Sequence, residues 1–159
     1  MTVSVVAATA DETRGLATRL AALLRAGDLL VLSGDLGAGK TTFTQGLGAA
    51  LQVRGAVTSP TFVISRVHPS LVDGPALVHV DAYRLHGALE LDDLDLDASL
   101  EEAVTVVEWG TGIAEDLTDD RLEVEILRDH GDTDDETRTL RLTPVGLRWQ
   151  GVDLTGLAG

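Results

Sequence analysis

The amino-acid sequence predicts an α/β fold, in which a mainly parallel sheet is flanked by helices and followed by a C-terminal antiparallel hairpin. Three short and largely apolar runs are typical of strands that are buried on both faces, as parallel strands are; they span residues 29–32, 76–80 and 104–107. Residues 122–127 and 139–142 instead alternate apolar with polar side chains, which predicts an antiparallel pair with one solvated face. Strands interleaved with helical stretches indicate a layered α/β domain.

Two helices are predicted before and after the first apolar run. Thr9 and Glu12 have the spacing of a capping box, and leucines then recur at helical intervals, so residues 10–26 predict an amphipathic helix that ends at Gly27. Residues 41–51 predict a second helix directly after a glycine-rich loop. Residues 62–64 have a β-like composition, and the acidic stretch 85–96 is either helical or mixed.

Composition limits the classes of function. The chain has 159 residues, a formal net charge of −14 and no cysteine. Direct, non-specific binding to nucleic acid needs clustered lysine and arginine to displace counterions, and the few basic residues here are scattered. The sequence has no uninterrupted apolar run of about 18 residues that would span a membrane. We therefore expect a soluble cytoplasmic protein that has no membrane partner and that contacts any nucleic acid only through other proteins.

The glycine-rich loop carries the clearest chemical signal. Gly34, Gly39, Lys40 and Thr41 match the P-loop pattern, with four residues between the glycines. Such a loop presents successive backbone N–H groups to a phosphate at the start of a helix. Lys40 would reach the β- and γ-phosphates, and Thr41 would bind Mg²⁺. Lys40 is the sole lysine in a chain that otherwise uses arginine, as expected where a compact ammonium fits and a planar guanidinium does not.

Two acidic residues follow buried runs at positions where a nucleotide site would use them. Asp81 ends the run 76–80, and Glu108 ends the run 104–107. In open α/β sheets, ligands bind beyond the carboxyl ends of the strands, so both acids should lie near the P-loop. One would hold Mg²⁺ or its water and the other would orient the attacking water; the alternative for each is a solvated carboxylate. The segment Ser59-Pro60-Thr61 is either a nucleotide switch or a plain Ser-Pro turn.

Four motifs together resemble one protein family. The segments "GDLGAGKTTFTQGL", "SPTFVI", "HVDAYRL" and "VEWG" occur in the order and approximate spacing of the TsaE family, over residues 9–143. The length of the chain suits one domain over residues 1–159. The resemblance implies a small P-loop NTPase that binds ATP with Mg²⁺ and hydrolyses it together with TsaB and TsaD. In that machinery TsaD transfers a threonylcarbamoyl group to the adenosine next to the tRNA anticodon.

The resemblance also implies roles for individual residues of this chain. The implied catalytic residues are Lys40, Asp81 and Glu108. The implied metal ligands are Thr41, Glu108 and Asp81, and Trp109 directly follows the glutamate. Adenine is expected near the start of the first helix and near the C-terminal hairpin, at Asp11, Glu12, Thr13 and Arg138. The phosphate loop comprises Gly34, Asp35, Leu36, Gly37, Ala38, Gly39, Lys40, Thr41 and Thr42.

Two other functions remain open on the residues alone. A small-molecule kinase also uses a P-loop, but it usually brings an arginine-bearing lid, and the arginines after Lys40 form no such cluster. A non-enzymatic scaffold that responds to nucleotide is the second alternative. The tail after residue 144 either packs through Trp149 or is mobile.

Overall fold

The computed structural model describes residues 2–34, 39–53, 65–81, 102–108, 120–128 and 137–158. Within these ranges the chain forms seven strands and two α-helices, with both helices among the first three strands, and then two short 3-10 turns. In chain order, the elements are β1 (Val3–Ala7), α1 (Ala10–Ala21), β2 (Leu29–Ser33), α2 (Lys40–Leu51), β3 (Ser65–His68), β4 (Ala76–Asp81), β5 (Ala103–Glu108), β6 (Arg121–Arg128), β7 (Arg138–Val145) and the turns Leu147–Trp149 and Thr155–Ala158.

All seven strands belong to one sheet, in the order β1-β7-β6-β2-β5-β4-β3. The central strands β6, β2, β5 and β4 pair in parallel. β7 runs antiparallel to β6 and β1, and β3 runs antiparallel to β4. The predicted α/β fold is therefore confirmed, with its mainly parallel sheet and its C-terminal antiparallel hairpin β6–β7.

Both helices contribute to one core on one face of the sheet. Leu16 and Leu20 of α1 and Phe43 and Leu47 of α2 are buried together with inward-facing side chains of the sheet, which are Val5, Leu30, Leu32, Leu77, Val104, Val106, Leu122, Val124, Ile126, Leu140 and Leu142. Burial of this apolar surface is the main stabilising contribution to the fold. It also holds α2, and with it the end of the glycine-rich loop, against the central strands.

The hairpin β6–β7 has the solvated face that its alternating pattern predicts. Buried residues of β6 alternate with partly exposed ones. Glu125 lies opposite Arg141 in the register and pairs with it at 3.3 Å between Nη1 and Oε1. Charged residues therefore occupy the face of the hairpin that the helices do not cover.

Helix α1 ends earlier than its leucine pattern indicates. The predicted helix 10–26 is five residues too long, because α1 stops at Ala21 and continues only as tight turns. Leu23 N–H donates to Leu20 O, and the Asp28 carboxylate accepts a hydrogen bond from the backbone N–H of Arg25. Leu23 and Leu24 still pack against the core, so leucine spacing indicates which residues are buried but not where the helix stops.

The C-terminal tail packs onto the body of the protein. Trp149, Leu154 and Leu157 belong to the buried core, and Arg19 Nη2 donates to the Leu157 carbonyl at 2.9 Å. Asp153 accepts hydrogen bonds from the backbone and the hydroxyl of Thr155, which lowers the pKa of its carboxyl below the usual value. Of the two possibilities for the tail, the structure favours packing.

Candidate functional site

The glycine-rich loop lies between a buried strand and a helix, as a phosphate loop requires. The four apolar residues of β2 are fully buried, and α2 begins at Lys40 directly after Gly39. Gly39 has a φ of 112°, a left-handed conformation that other residues adopt only with strain. The chain therefore turns sharply from the loop into the helix at a position that favours glycine.

The start of α2 is suited to bind an anion. Phe43 N–H donates to the Gly39 carbonyl, which is the first helical hydrogen bond, and no side chain caps this end. The first N–H groups of a helix have no intrahelical partner and carry the positive end of its dipole. Thr41 and Thr42 lie in this first turn and are half-buried. Backbone N–H groups at the start of a helix are the ones that bind a phosphate there.

Lys40 is buried, with 6% of its surface exposed. Its Nζ donates a hydrogen bond of 2.7 Å to the carbonyl of Gly34, at the other end of the loop. The side chain therefore folds back across the loop and does not extend into solvent. A buried ammonium needs such partners, and phosphate oxygens are chemically suited to join or replace the carbonyl.

The two predicted strand-end acids come together in the sheet register. Asp81 of β4 lies opposite Glu108 of β5, and Glu108 lies opposite Leu32 of β2, just before the loop begins. Three adjacent parallel strands therefore end in one row beside the P-loop. Of Asp81 only the backbone position is described, whereas the Glu108 side chain is buried.

Glu108 has a partner that the sequence reasoning missed. His79 Nε2 lies 2.7 Å from Glu108 Oε2, and both side chains are buried. No histidine in the sequence pairs with another at metal-ligand spacing, and the pattern around His79 predicts packing rather than metal binding. Its one signal in the sequence is its position, as a polar residue within an otherwise apolar run and two residues before Asp81.

The arrangement fits Mg²⁺ held together with a nucleotide. Within the described residues no cluster of three or more acidic, histidine or cysteine side chains forms a closed metal cage. Mg²⁺ commonly binds through one or two protein oxygens, substrate phosphates and water. Thr41 at the helix start and the acids at the strand ends supply that kind of donor set.

The residues expected near adenine have other contacts in the structure. Glu12 forms half of the predicted capping box: its N–H donates to Oγ1 of the N-cap Thr9, but its carboxylate accepts from the N–H of Ala8, one residue earlier. Asp11 pairs with Arg14, and Thr13 is buried. Arg138 lies opposite Ala7 at the end of β1, so the structure brings it close to the chain that leads into α1. Contact with adenine stays a prediction.

Several predicted site residues lie outside the described parts of the chain. They are the central loop residues Asp35, Leu36, Gly37 and Ala38, the segment Ser59-Pro60-Thr61, and Trp109. Their assignments stay predictions from the sequence.

Comparison with known proteins identifies the family. The family model described as "Threonylcarbamoyl adenosine biosynthesis protein TsaE" matches residues 7–139. The chain belongs to the TsaE family. A protein of Streptomyces coelicolor named "tRNA threonylcarbamoyladenosine biosynthesis protein TsaE" is 65% identical over 147 residues, which cover 92% of this chain and 99% of the relative. A TsaE protein of Bacillus subtilis is 40% identical over 142 residues, covering 88% and 84% of the two chains.

A solved structure supports the same assignment. The crystal structure of YdiB from Bacillus subtilis superposes with a TM-score of 0.74 at 34% identity, and the match covers 94% of this chain and 90% of YdiB. The TsaE resemblance from the four sequence motifs is therefore confirmed, together with the P-loop fold. Membership of the TsaE family places the chain in threonylcarbamoyladenosine biosynthesis and indicates a nucleotide-binding protein.

No helix within the described part of the chain has the length and apolar character needed to cross a bilayer.

Proposed function

We propose that this TsaE-family chain hydrolyses ATP with Mg²⁺ as the ATPase component of the cytoplasmic tRNA threonylcarbamoyladenosine machinery, in a complex with TsaB and TsaD. The observation that carries the proposal is the position of Lys40. Its buried ammonium is held across the phosphate loop by the Gly34 carbonyl, beside the row of strand ends that contains Glu108. The strand that leads into the phosphate loop pairs directly with the strand that ends at Glu108, which supports a γ-phosphate site that uses the cation, the helix start and this carboxylate.

Each group has a distinct task in this proposal. The loop and the start of α2 bind the phosphates through backbone N–H groups. Lys40 stabilises the negative charge that develops on the β- and γ-phosphate oxygens, and Mg²⁺, held by Thr41 and an acid, neutralises part of it. Of the two acids, Glu108 is the better supported as the metal-linked group, because its carboxylate is buried and a defined partner orients it.

The division of labour with other proteins follows from charge. At −14 the isolated chain has no net attraction to a polyanion. Relatives named for tRNA threonylcarbamoyladenosine biosynthesis nevertheless match almost the whole chain. Both observations are explained if TsaB and TsaD hold the tRNA and this chain couples ATP hydrolysis to their turnover.

Measuring the fate of the γ-phosphate tests the proposal. The chain is incubated with Mg-ATP alone, with TsaB and TsaD, and with candidate small-molecule acceptors. Release of inorganic phosphate that depends on the partners supports an ATPase, whereas transfer to an acceptor would show a kinase, and neither reaction would indicate a nucleotide-dependent scaffold. Lys40→Ala is the inactive reference and should abolish phosphate release with partners present.

A further inference from the structure

We infer that His79 is a positioning residue for Glu108. In this inference, the His79 Nε2–H group donates to Glu108 Oε2 and fixes the carboxylate so that its other oxygen is directed to the metal or its bound water. The inference rests on the proposed ATPase function for its catalytic consequence. The hydrogen bond itself belongs to the protein alone and can be tested separately.

Sheet geometry explains why this histidine reaches this glutamate. His79 lies opposite Val106 in the parallel register of β4 and β5, and Glu108 is two residues further along β5. Residues two apart on a strand point to the same face, so His79 has Glu108 as a diagonal neighbour on its own face. The atoms Nε2 and Oε2 are 2.7 Å apart, a short and charge-assisted distance.

The direction of the hydrogen bond follows from the chemistry of the two groups. An ionised carboxylate can only accept, so Nε2 must carry the hydrogen. The other ring nitrogen, Nδ1, is buried without a hydrogen-bond partner. Within the described parts of the chain, the imidazole therefore forms one hydrogen bond, to Glu108, and has no second polar contact that would explain its presence in the core.

A purely structural role for His79 is a poor explanation. The ring is 0% exposed, and burying a polar group is unfavourable unless its hydrogen bonds compensate. An apolar side chain of similar size would fill the same space beside Leu77 without leaving Nδ1 unpaired. The histidine is best explained by what it does to the carboxylate, because among the described residues no other group donates to Glu108.

Three variants separate orientation from packing. His79→Leu removes the donor and keeps the volume, whereas His79→Gln keeps a donor, since its amide nitrogen takes about the place of Nε2. Thr105→Val is the matched control, because Thr105 is a buried polar residue on β5 with an unpaired hydroxyl on the strand face opposite Glu108. Each variant is measured for partner-stimulated hydrolysis, for ADP affinity with and without Mg²⁺, and for unfolding.

We expect His79→Leu to lower kcat roughly 10-fold or more, as loss of an outer-shell partner of a metal-linked ligand typically does, and to lessen the gain in ADP affinity that Mg²⁺ provides. The KM for ATP should rise by a much smaller factor than kcat falls, because the phosphate loop is intact. His79→Gln should recover most of kcat, and Thr105→Val should match wild type. A fully active His79→Leu protein, or a folded His79→Gln protein as slow as His79→Leu, would overturn the inference.

A second measurement does not depend on turnover. Nitrogen NMR of the ¹⁵N-histidine-labelled chain, free of nucleotide, should show His79 protonated at Nε2 and unprotonated at Nδ1, and Glu108→Ala should shift the Nε2–H resonances because their hydrogen bond is lost. The opposite tautomer in wild type would contradict the hydrogen bond even if the protein is an ATPase. If wild type itself releases no phosphate with partners, the ATPase proposal fails while the NMR result still decides the contact.

Discussion

Arg148 and the buried Asp28 form a bidentate, largely buried ion pair that ties the C-terminal tail to the turn between α1 and β2. Arg148 Nε lies 2.8 Å from Asp28 Oδ1, and Nη2 lies 2.9 Å from Oδ2. Nη2 also donates to the Leu23 carbonyl at 2.8 Å, and the guanidinium carbon lies 4.5 Å from the centre of the Trp149 ring. One arginine thus holds the tail, the end of α1 and the start of β2 together.

Removing this arginine should destabilise the protein strongly. Arg148→Ala leaves the Asp28 carboxylate buried without its cation, so we expect the free energy of unfolding to fall by about 3 kcal/mol or more. Arg148→Lys should recover only part, because an ammonium cannot form the two parallel hydrogen bonds. Urea titration followed by circular dichroism measures both variants.

The exposed pair of Arg141 and Glu125 provides the control for this prediction. Its side chains are about half exposed, and Arg141→Ala should cost less than about 1 kcal/mol. Equal urea midpoints for Arg148→Ala and Arg141→Ala would show that the tail is not held by the buried pair.

Close packing of the two helices makes a second prediction about stability. A Cβ atom added at Gly46 of α2 would lie 2.7 Å from the Arg14 carbonyl and 2.9 Å from Ala17 Cβ in α1. Gly46→Ala should therefore cost about 1–2 kcal/mol, because overpacking outweighs the gain in helix propensity.

Gly15 of α1 is the matched position for that test. A Cβ there would meet only Arg19 Nη1, at 3.7 Å, so Gly15→Ala should stabilise the protein by up to about 1 kcal/mol. Thermal unfolding of the two variants compares them directly. If Gly46→Ala stabilises as much as Gly15→Ala, the two helices do not pack as closely as the structure describes.

Lys40 should be irreplaceable by arginine even though the charge is kept. Lys40 is 6% exposed and its ammonium donates to the Gly34 carbonyl, whereas a planar guanidinium is wider and has a different reach. We expect Lys40→Arg to lose partner-stimulated hydrolysis and most ATP affinity while its unfolding midpoint stays near that of wild type. Calorimetric ATP titration beside thermal unfolding is the measurement, and ATP binding at the wild-type level would disprove the steric argument.

Substitutions at Glu108 and at Trp109 should impair different steps of the reaction. Glu108→Ala should lower kcat far more than ATP affinity, because the phosphate contacts of the loop remain and the lost group acts mainly in the transition state. Trp109→Ala should instead disturb the rim of the site or the docking of partners, with metal dependence intact. Hydrolysis and nucleotide affinity are measured side by side. Full turnover, or complete loss of ATP binding, in Glu108→Ala would refute its assigned role.

The isolated chain should not bind tRNA tightly. Its net charge of −14 opposes association with a polyanion, and this electrostatic repulsion is largest at low salt. Gel-shift titration at physiological salt should show no complex until TsaB and TsaD are added. Submicromolar binding by the chain alone would indicate a basic surface that the net charge conceals.

Much of the nucleotide site was predictable because its chemistry is local. The loop acts through backbone conformation, one ammonium and one hydroxyl within the consecutive residues Gly39, Lys40 and Thr41. The apolar composition of β2 before them predicts a buried strand. Asp81 and Glu108 were predictable for a related reason, since parallel strands with acidic ends align those ends at one edge. The contact between His79 and Glu108 was not predictable, because it joins residues 29 positions apart through the pairing of β4 with β5.

The sequence alone determined the elements that the spacing of their own apolar residues predicts. These are the strand β2, the helix stripe of Leu16 and Leu20, and the alternating hairpin β6–β7. Tertiary structure decided the elements that are stable only beside others. β1 is a strand because it pairs with the edge of β7. The turn that follows α1 is held by hydrogen bonds from Arg148 to the Leu23 carbonyl and from the Arg25 N–H to Asp28. The ion pair of Arg148 with Asp28 also holds the tail. Hydrogen bonds and ion pairs between distant residues leave no period in the chain, so only the folded molecule reveals them.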